Sequence, residues 1–290
     1  MLRFLRLAVL ALVLSLWSSA AWALPPIWVA HGANGATVVL FGSVHILPPG
    51  LDWEPPRLKT ALAGADELWF EIPIDPASNL AAGQAALAAG MQPAGQTLSA
   101  QLNPGDRTRL AKAAAACGLP VEGIDRLLPW FADVTLSVTS YRLSGADVDD
   151  GVERAISVQA PAGVQRRAFE TPAQQIGYLA TAPMRDQIAS LRETLDDIAA
   201  GSVSYRRLVA AWMAGDVRTL RHEALAPMMR DTPSIYRSLV VARNQRWIDA
   251  IAERLQGRGQ VVMVVGVGHL IGPDSVPSLL RARGIRVDGP

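Results

Sequence analysis

The chain has 290 residues, 27 Lys and Arg against 26 Asp and Glu, a formal net charge of +1 and 50% hydrophobic residues. Scattered basic residues at near-neutral charge argue against nucleic acid as the main partner. The single cysteine, Cys117, excludes an intramolecular disulfide, so the fold must be held by its core, at a length that suits one large α/β domain or two small ones.

Residues 1–23 read as a secretory signal peptide. Arg3 and Arg6 precede an apolar core too short for the ~20 residues of a membrane span, and Ala21 and Ala23 mark cleavage after about Ala23. The absence of a cysteine at that point argues against a lipoprotein anchor, and no second spanning segment follows. The expected location is therefore periplasmic or secreted, with residues 24–290 as the mature part.

From there "PIWVAHGANGATVVLFGSVH" predicts a hairpin, its connector carrying glycine where a turn needs it and leaving His31 exposed in the turn. A helix over 57–65 and a short strand in "ELWFEIP" follow. Two or three Ala-rich helices fill 76–118, one started by Asn103-Pro104, ended by Gly118 and holding Cys117 as inert core. "VEGID" suggests a strand, "PWFADVTLSVTSYRL" a helix or a buried run, and "GADVDDGVERAISVQA" a helix. "VQRRAFETP" predicts a strand stopping at Glu170, next to a helix with Thr171 as N-cap, Pro172 at its first position and Gln174 completing a capping box. The pattern stays helical to about 256, then gives the strand "QVVMVVGVGH", a helix over 274–283 and a closing strand "IRVD". The expected fold is α/β, a mixed sheet from both chain ends with a largely helical insert. With no linker composition in sight, one domain over 24–290 is expected.

Four strands end in a polar residue that a purely structural strand does not need. Two run into G-x-x-H (Gly42 and His45; Gly266 and His269), and two into F-E-x-P, at Glu71 and Glu170. Ligands of α/β sheets collect outside the carboxyl ends of strands, and glycine allows sharp turns and close backbone approach there. Two imidazoles and two carboxylates suit a borderline divalent metal with an open position for water, a spare carboxylate serving as base. Arg243, with Trp247 four residues on and Asn244 beside it, is a candidate to meet an anionic substrate group, a developing oxyanion or one of the glutamates.

Other motifs fail. "RHEAL" places Ala226 where a zinc-protease helix needs its second histidine, so His222 is left as a surface residue. "GVGHLIG" has glycine spacing suggestive of a dinucleotide loop, but the chain ends before the acidic residue that fingerprint requires. Ser43 stands beside His45 without an evident third partner for nucleophilic catalysis.

Taken together, "IWVA…VVLFGSVHILP", "LWFEI", "LPWF", "FETPAQQ", "RNQRW" and "VVGVGHLIGPDSVPSLLRARGIRV" resemble the TraB/GumN family of exported bacterial proteins, relatives of the metazoan Tiki proteases. Ser43 departs mildly from a position where threonine is common. The resemblance implies a fold of the erythromycin-esterase/ChaN-like kind and, from the Tiki branch, a divalent-metal-dependent peptidase, with Mn or Co favoured there and Zn possible. Carried over, His45, His269 and Glu71 match the metal and catalytic set, while Glu170, Arg243 and Asn244 match further positions. The expected partner is a peptide or protein substrate. Two rivals are a non-catalytic binder of peptide, haem or polysaccharide, and an esterase-like hydrolase using His and Glu without a metal.

Overall fold

A computed structural model describes residues 24–290; the predicted signal peptide at 1–23 lies outside the described residues. The strand-forming runs from both ends of this stretch meet in one mixed sheet. In chain order its strands are β1 (Ile27–His31), β2 (Thr37–Ser43), β3 (Glu67–Phe70), β4 (Gln165–Ala168), β5 (Gln260–Gly266) and β6 (Arg286–Asp288). Their spatial order is β4-β3-β5-β2-β1-β6. The four strands β4, β3, β5 and β2 run parallel, and β1 pairs antiparallel with both β2 and β6.

Why these runs become central strands follows from their composition. "TVVLFGS" and "QVVMVVG" are β-branched and apolar almost without interruption, as expected of parallel strands covered on both faces, and both are buried nearly end to end. β4 is different. "QRRA" is largely exposed and forms one edge, where its arginines discourage pairing with another chain. β6, three residues long, forms the other edge.

Helix α1 (Pro56–Ala63) packs on β2 and β5. Between β3 and β4 come α2 (Pro76–Gly90), α3 (Pro104–Ala116), α4 (Pro129–Leu143) and α5 (Val152–Gln159). Between β4 and β5 come α6 (Pro172–Ala180), α7 (Met184–Ala199), α8 (Val203–Met213) and α9 (Ala242–Arg254), with shorter helical turns before α9; α10 (Val276–Ala282) precedes β6. The helical insert thus falls in two blocks on either side of β4. The predicted signals hold locally: Asn103 caps α3, and Thr171 and Gln174 form the capping box of α6. Leu110, Leu136, Leu191 and Leu195 belong to a second apolar cluster, which also buries Cys117.

Four expectations need correction. "VEGID" is a helical turn, Val121–Ile124, because two β-branched residues around Glu and Gly are too few to outweigh its packing against α3. The strand expected to reach Glu170 ends at Ala168, and the last helix begins at Val276 with Ser275 as its cap. His31 closes β1 half-buried, with Nε2 2.8 Å from Asp288 of the neighbouring strand, rather than standing exposed in the turn. No helix among the described residues is long and apolar enough to cross a membrane.

The main core centres on Phe41, Trp53 and Trp212, whose ring centroids lie 5.8–6.3 Å apart. Trp212 on α8 is fully buried and donates its indole N–H to the Gly42 carbonyl at 2.8 Å, fastening the later helical block to the end of β2. Truncating it removes both the packing and the donor. Trp212→Ala is expected to cost about 3–5 kcal/mol, read as a drop in the chemical-denaturation midpoint.

Candidate active site at the carboxyl ends of four parallel strands

Sheet register assembles the candidate residues. Phe70 pairs with Ala168 on one side and Val264 on the other, and Ser43 pairs with Gly266. Glu170 therefore follows β4, Glu71 follows β3, His269 follows β5 by one 3-10 turn, and His45 follows β2. These strands are neighbours, so the two carboxylates and two imidazoles stand in a row at one edge of the sheet. That is the crevice where α/β proteins place their ligands.

Arg243 enters this row from the start of α9, just beyond a π-helical turn at Arg237–Val241, a distortion often found at functional sites. Its side chain is 4% exposed. Nε donates to both Glu170 oxygens at 3.0 Å, Nη2 donates to Glu71 Oε2 and lies 2.9 Å from Glu170, and Nη1 contacts His269 Nε2 at 3.0 Å and donates to the Leu239 carbonyl. The guanidinium also lies over the Trp247 ring, 4.8 Å from its centroid. Of the roles the sequence leaves open for Arg243, the structure shows contact with both glutamates.

Glu170 is spent on that contact. Besides Arg243, its Oε1 accepts from Trp247 Nε1 at 3.0 Å, and the carboxylate is buried. It faces the arginine, so its contacts offer an anchor rather than a free base. Glu71 is more divided. Oε2 meets Arg243 and Gln175, while Oε1 accepts from the Gly266 N–H at 2.7 Å and lies 3.7 Å from His269 Nε2. Burial works against its charge, but the charges of His269 when protonated, of Arg243 and of His45, together with the Gly266 N–H, prevail and hold the carboxyl far below its ordinary value.

The two imidazoles have opposite environments. His269 is buried. Asn244, itself fully buried, places Oδ1 2.6 Å from His269 Nδ1 and holds the loop through the His269 and Asp274 carbonyls. That contact puts the ring proton on Nδ1 and leaves the Nε2 lone pair toward Glu71 and Arg243. Burial first, and then Arg243 and His45, push its pKa down to about 3, so it is neutral at pH 7.

His45 is 60% exposed, with Nδ1 2.6 Å from Glu153 Oε1. The Glu153 charge pulls its pKa up to about 9 against the opposing effect of burial, an attraction that water weakens at so exposed a ring. Glu153 also accepts from Ser43 Oγ, so the serine hydroxyl is directed to the glutamate and not to His45. Glu153 sits in the first turn of α5, and Gly151 brings that turn in: a Cβ there would lie 2.1 Å from the His45 carbonyl oxygen.

Sequence reasoning missed Glu153 and Gln175. Glu153 belongs to no motif, and only the long-range docking of α5 on residues 43–45 makes it part of the site. Gln175 was visible one residue past the capping box, where its spacing gave no hint of Glu71. His222 is exposed and pairs with Glu223, as its failed motif implied.

A Cβ built on Gly266 would lie 3.2 Å from Glu71 Oε1, 3.5 Å from His45 Nε2 and 3.8 Å from His269 Cδ2. The glycine thus keeps open the point on which the three groups converge. Two imidazole nitrogens and a carboxylate oxygen are the donor types of a divalent-metal site. Their present disposition does not form one: among the described residues no group of three or more His, Cys, Asp or Glu is arranged to hold an ion. Arg243 already occupies the His269 Nε2 lone pair. Seating a cation there requires that contact to break.

The sequence model of the family described as TraB/PrgY/gumN matches residues 26–289. No curated protein and no solved structure gives a significant match.

Two measurements follow from this geometry. Removing the cation in Arg243→Met strands two buried carboxylates and is expected to cost about 3–5 kcal/mol; adding Glu71→Gln and Glu170→Gln should recover much of that loss in denaturant titrations. The histidines give stability a pH dependence with two limbs. Between pH 6.5 and 3 the unfolded chain binds a proton that folded His269 refuses, so stability falls as pH drops below 6.5. The raised His45 pKa contributes stability complete below 6.5 and lost as pH rises toward about 9. Urea midpoints across pH should show a shallower acid limb in His269→Gln and a shallower alkaline limb in Glu153→Gln.

Proposed function

We propose that the chain, which belongs to the TraB/PrgY/gumN family, is a divalent-metal-dependent hydrolase cleaving peptides at the crevice shared by His45, Glu71 and His269. The observation that carries this reading is the convergence of the three groups on Gly266, at the ends of adjacent parallel strands. His45 Nε2, on giving up its proton, would hold the metal together with His269 Nε2 and Glu71 Oε1, and the metal would supply a water acidified toward neutral pH and polarise a carbonyl. Mn or Co is the proposed ion, on the strength of the family resemblance, with Zn as the other candidate.

The chain's own residues prepare that chemistry. Asn244 fixes the tautomer in which His269 offers Nε2, and burial keeps the ring unprotonated. Glu153 orients His45 and leaves its Nε2 facing the crevice. Arg243 holds Glu71 ionised and ties it to Glu170, so its part is positioning rather than direct contact with substrate. The signal-peptide reading of residues 1–23 supports action outside the cytoplasm.

One observation favours a second reading. A half-buried carboxylate on Nδ1 of an exposed histidine is the arrangement of a general base once the ring gives up the proton that Glu153 favours, and Arg243 already occupies His269. In that reading His45 activates water without a metal and Glu71 stays a buried anion.

Elemental analysis of the purified protein, with a peptidase assay under chelation and metal readdition, separates the readings. The metal reading expects activity to vanish with chelator, return with Mn or Co, and fall by about 100-fold or more in His45→Ala and His269→Ala. Chelator-resistant activity that His45→Ala abolishes selects the metal-free reading. Full activity in both variants overturns both.

A further inference from the structure

Next to His45 lies a groove of about 580 Å³, within the size range of small-ligand sites. Near His45 its wall is aromatic and apolar. Tyr141 and Tyr205 stack with centroids 4.3 Å apart, and Tyr205 donates its hydroxyl to the Ile46 carbonyl at 3.0 Å, fixing the pair against the segment that carries the histidine. Leu208, Met228 and Ile235 continue that surface.

The rest of the groove is lined by one stripe of α7. Ser190, Glu193, Thr194 and Asp197 follow one another at i, i+3, i+4 and i+7, which places them on a single helix face. The opposite side of α7 puts Leu191 and Leu195 into the second apolar cluster, so the helix cannot rotate this stripe away. Along this stripe the polar atoms on offer are acceptors. Ser190 and Thr194 both donate their hydroxyl protons to Asp133, leaving only lone pairs toward the groove. Neither Glu193 nor Asp197 forms a salt bridge among the described residues; burial, with the charges of Asp231 and Asp133, pushes the Glu193 carboxyl up against the opposing charge of Arg230, and Asp197 accepts the Ser204 N–H at 3.0 Å. The basic side chains nearby each have an acidic partner: Arg230 has Asp231, Arg207 and His222 share Glu223, and His45 has Glu153.

We infer that this groove is the substrate cleft of the His45 site and takes a polypeptide segment carrying a basic side chain, its backbone and apolar neighbours on the tyrosine wall and its ammonium or guanidinium between Glu193 and Asp197. Charge complementarity along the α7 stripe selects this occupant, because Ser190, Glu193, Thr194 and Asp197 offer only acceptors there and would leave an acidic or acceptor-only group unpaired. The inference rests on the reading of the chain as a peptide hydrolase, but it is measured by binding and so can fail separately.

The test uses the mature protein and fluorescence anisotropy with labelled peptides of equal length that differ at one position, Lys, Gln or Glu. The Lys peptide is expected to bind about fivefold to tenfold more tightly than the Gln peptide, a preference that salt weakens. The double variant Glu193→Gln, Asp197→Asn should lose that preference while its affinity for the Gln peptide and its thermal midpoint stay unchanged. Equal affinity for all three peptides, no peptide binding, or a preference that survives in the double variant overturns the inference. Cleavage without charge preference leaves the hydrolase standing and removes the groove's role. Charge-selective binding without cleavage does the reverse.

Discussion

One buried cation shared between two buried carboxylates governs the site. Arg243 meets Glu71 and Glu170 with its whole guanidinium, on the faces of Trp247 and Tyr178. Desolvating three charges is costly, and such clusters are poor evidence of stability for its own sake. What this one provides is position. It ties the ends of β3 and β4, which come from distant parts of the sequence, to the first turn of α9. Arginine suits the task because its planar fork reaches two carboxylates and an imidazole at once, which a lysine ammonium cannot do from a single position.

Around that cation the two strand-end histidines are driven in opposite directions. His269 is buried beside an arginine and held by an amide, so it stays neutral and presents a lone pair. His45 stands in water with a carboxylate behind it, so it attracts a proton. Two imidazoles a few ångströms from the same glycine thus offer different chemistry, one a ready acceptor, the other a group whose proton is available for transfer. The repeated G-x-x-H motif does not mean repeated function. The environment behind each ring decides its state.

The groove extends this division of labour to the helical insert. In the proposed function the sheet edge supplies the reacting groups, and α7 and α8 the surface along which a substrate would lie. α7 does two jobs with one period, its leucines filling the second core while its hydroxyls and carboxylates line the groove. The indole of Trp212 and the hydroxyl of Tyr205 hold α8 to the β2 end. The groove and the strand-end residues are thereby kept in register.

The sequence by itself determined the local features: the hairpin, the apolar central strands, the caps at Asn103 and Thr171, and the four strand ends carrying His45, Glu71, Glu170 and His269. Each is written in residues near one another in the chain, where periodicity and turn chemistry operate. It erred at "VEGID", where a short β-branched run was outweighed by packing. Only the tertiary structure decided that those four ends are neighbours, that Glu170 anchors Arg243, that Ser43 turns to Glu153, and that Glu153 and Gln175 belong to the site. The reason is range. Glu153 is 108 residues from His45 and Gln175 is 104 from Glu71, and nothing in the identity of a helical glutamate or glutamine names its partner until strand order and helix docking bring the two together.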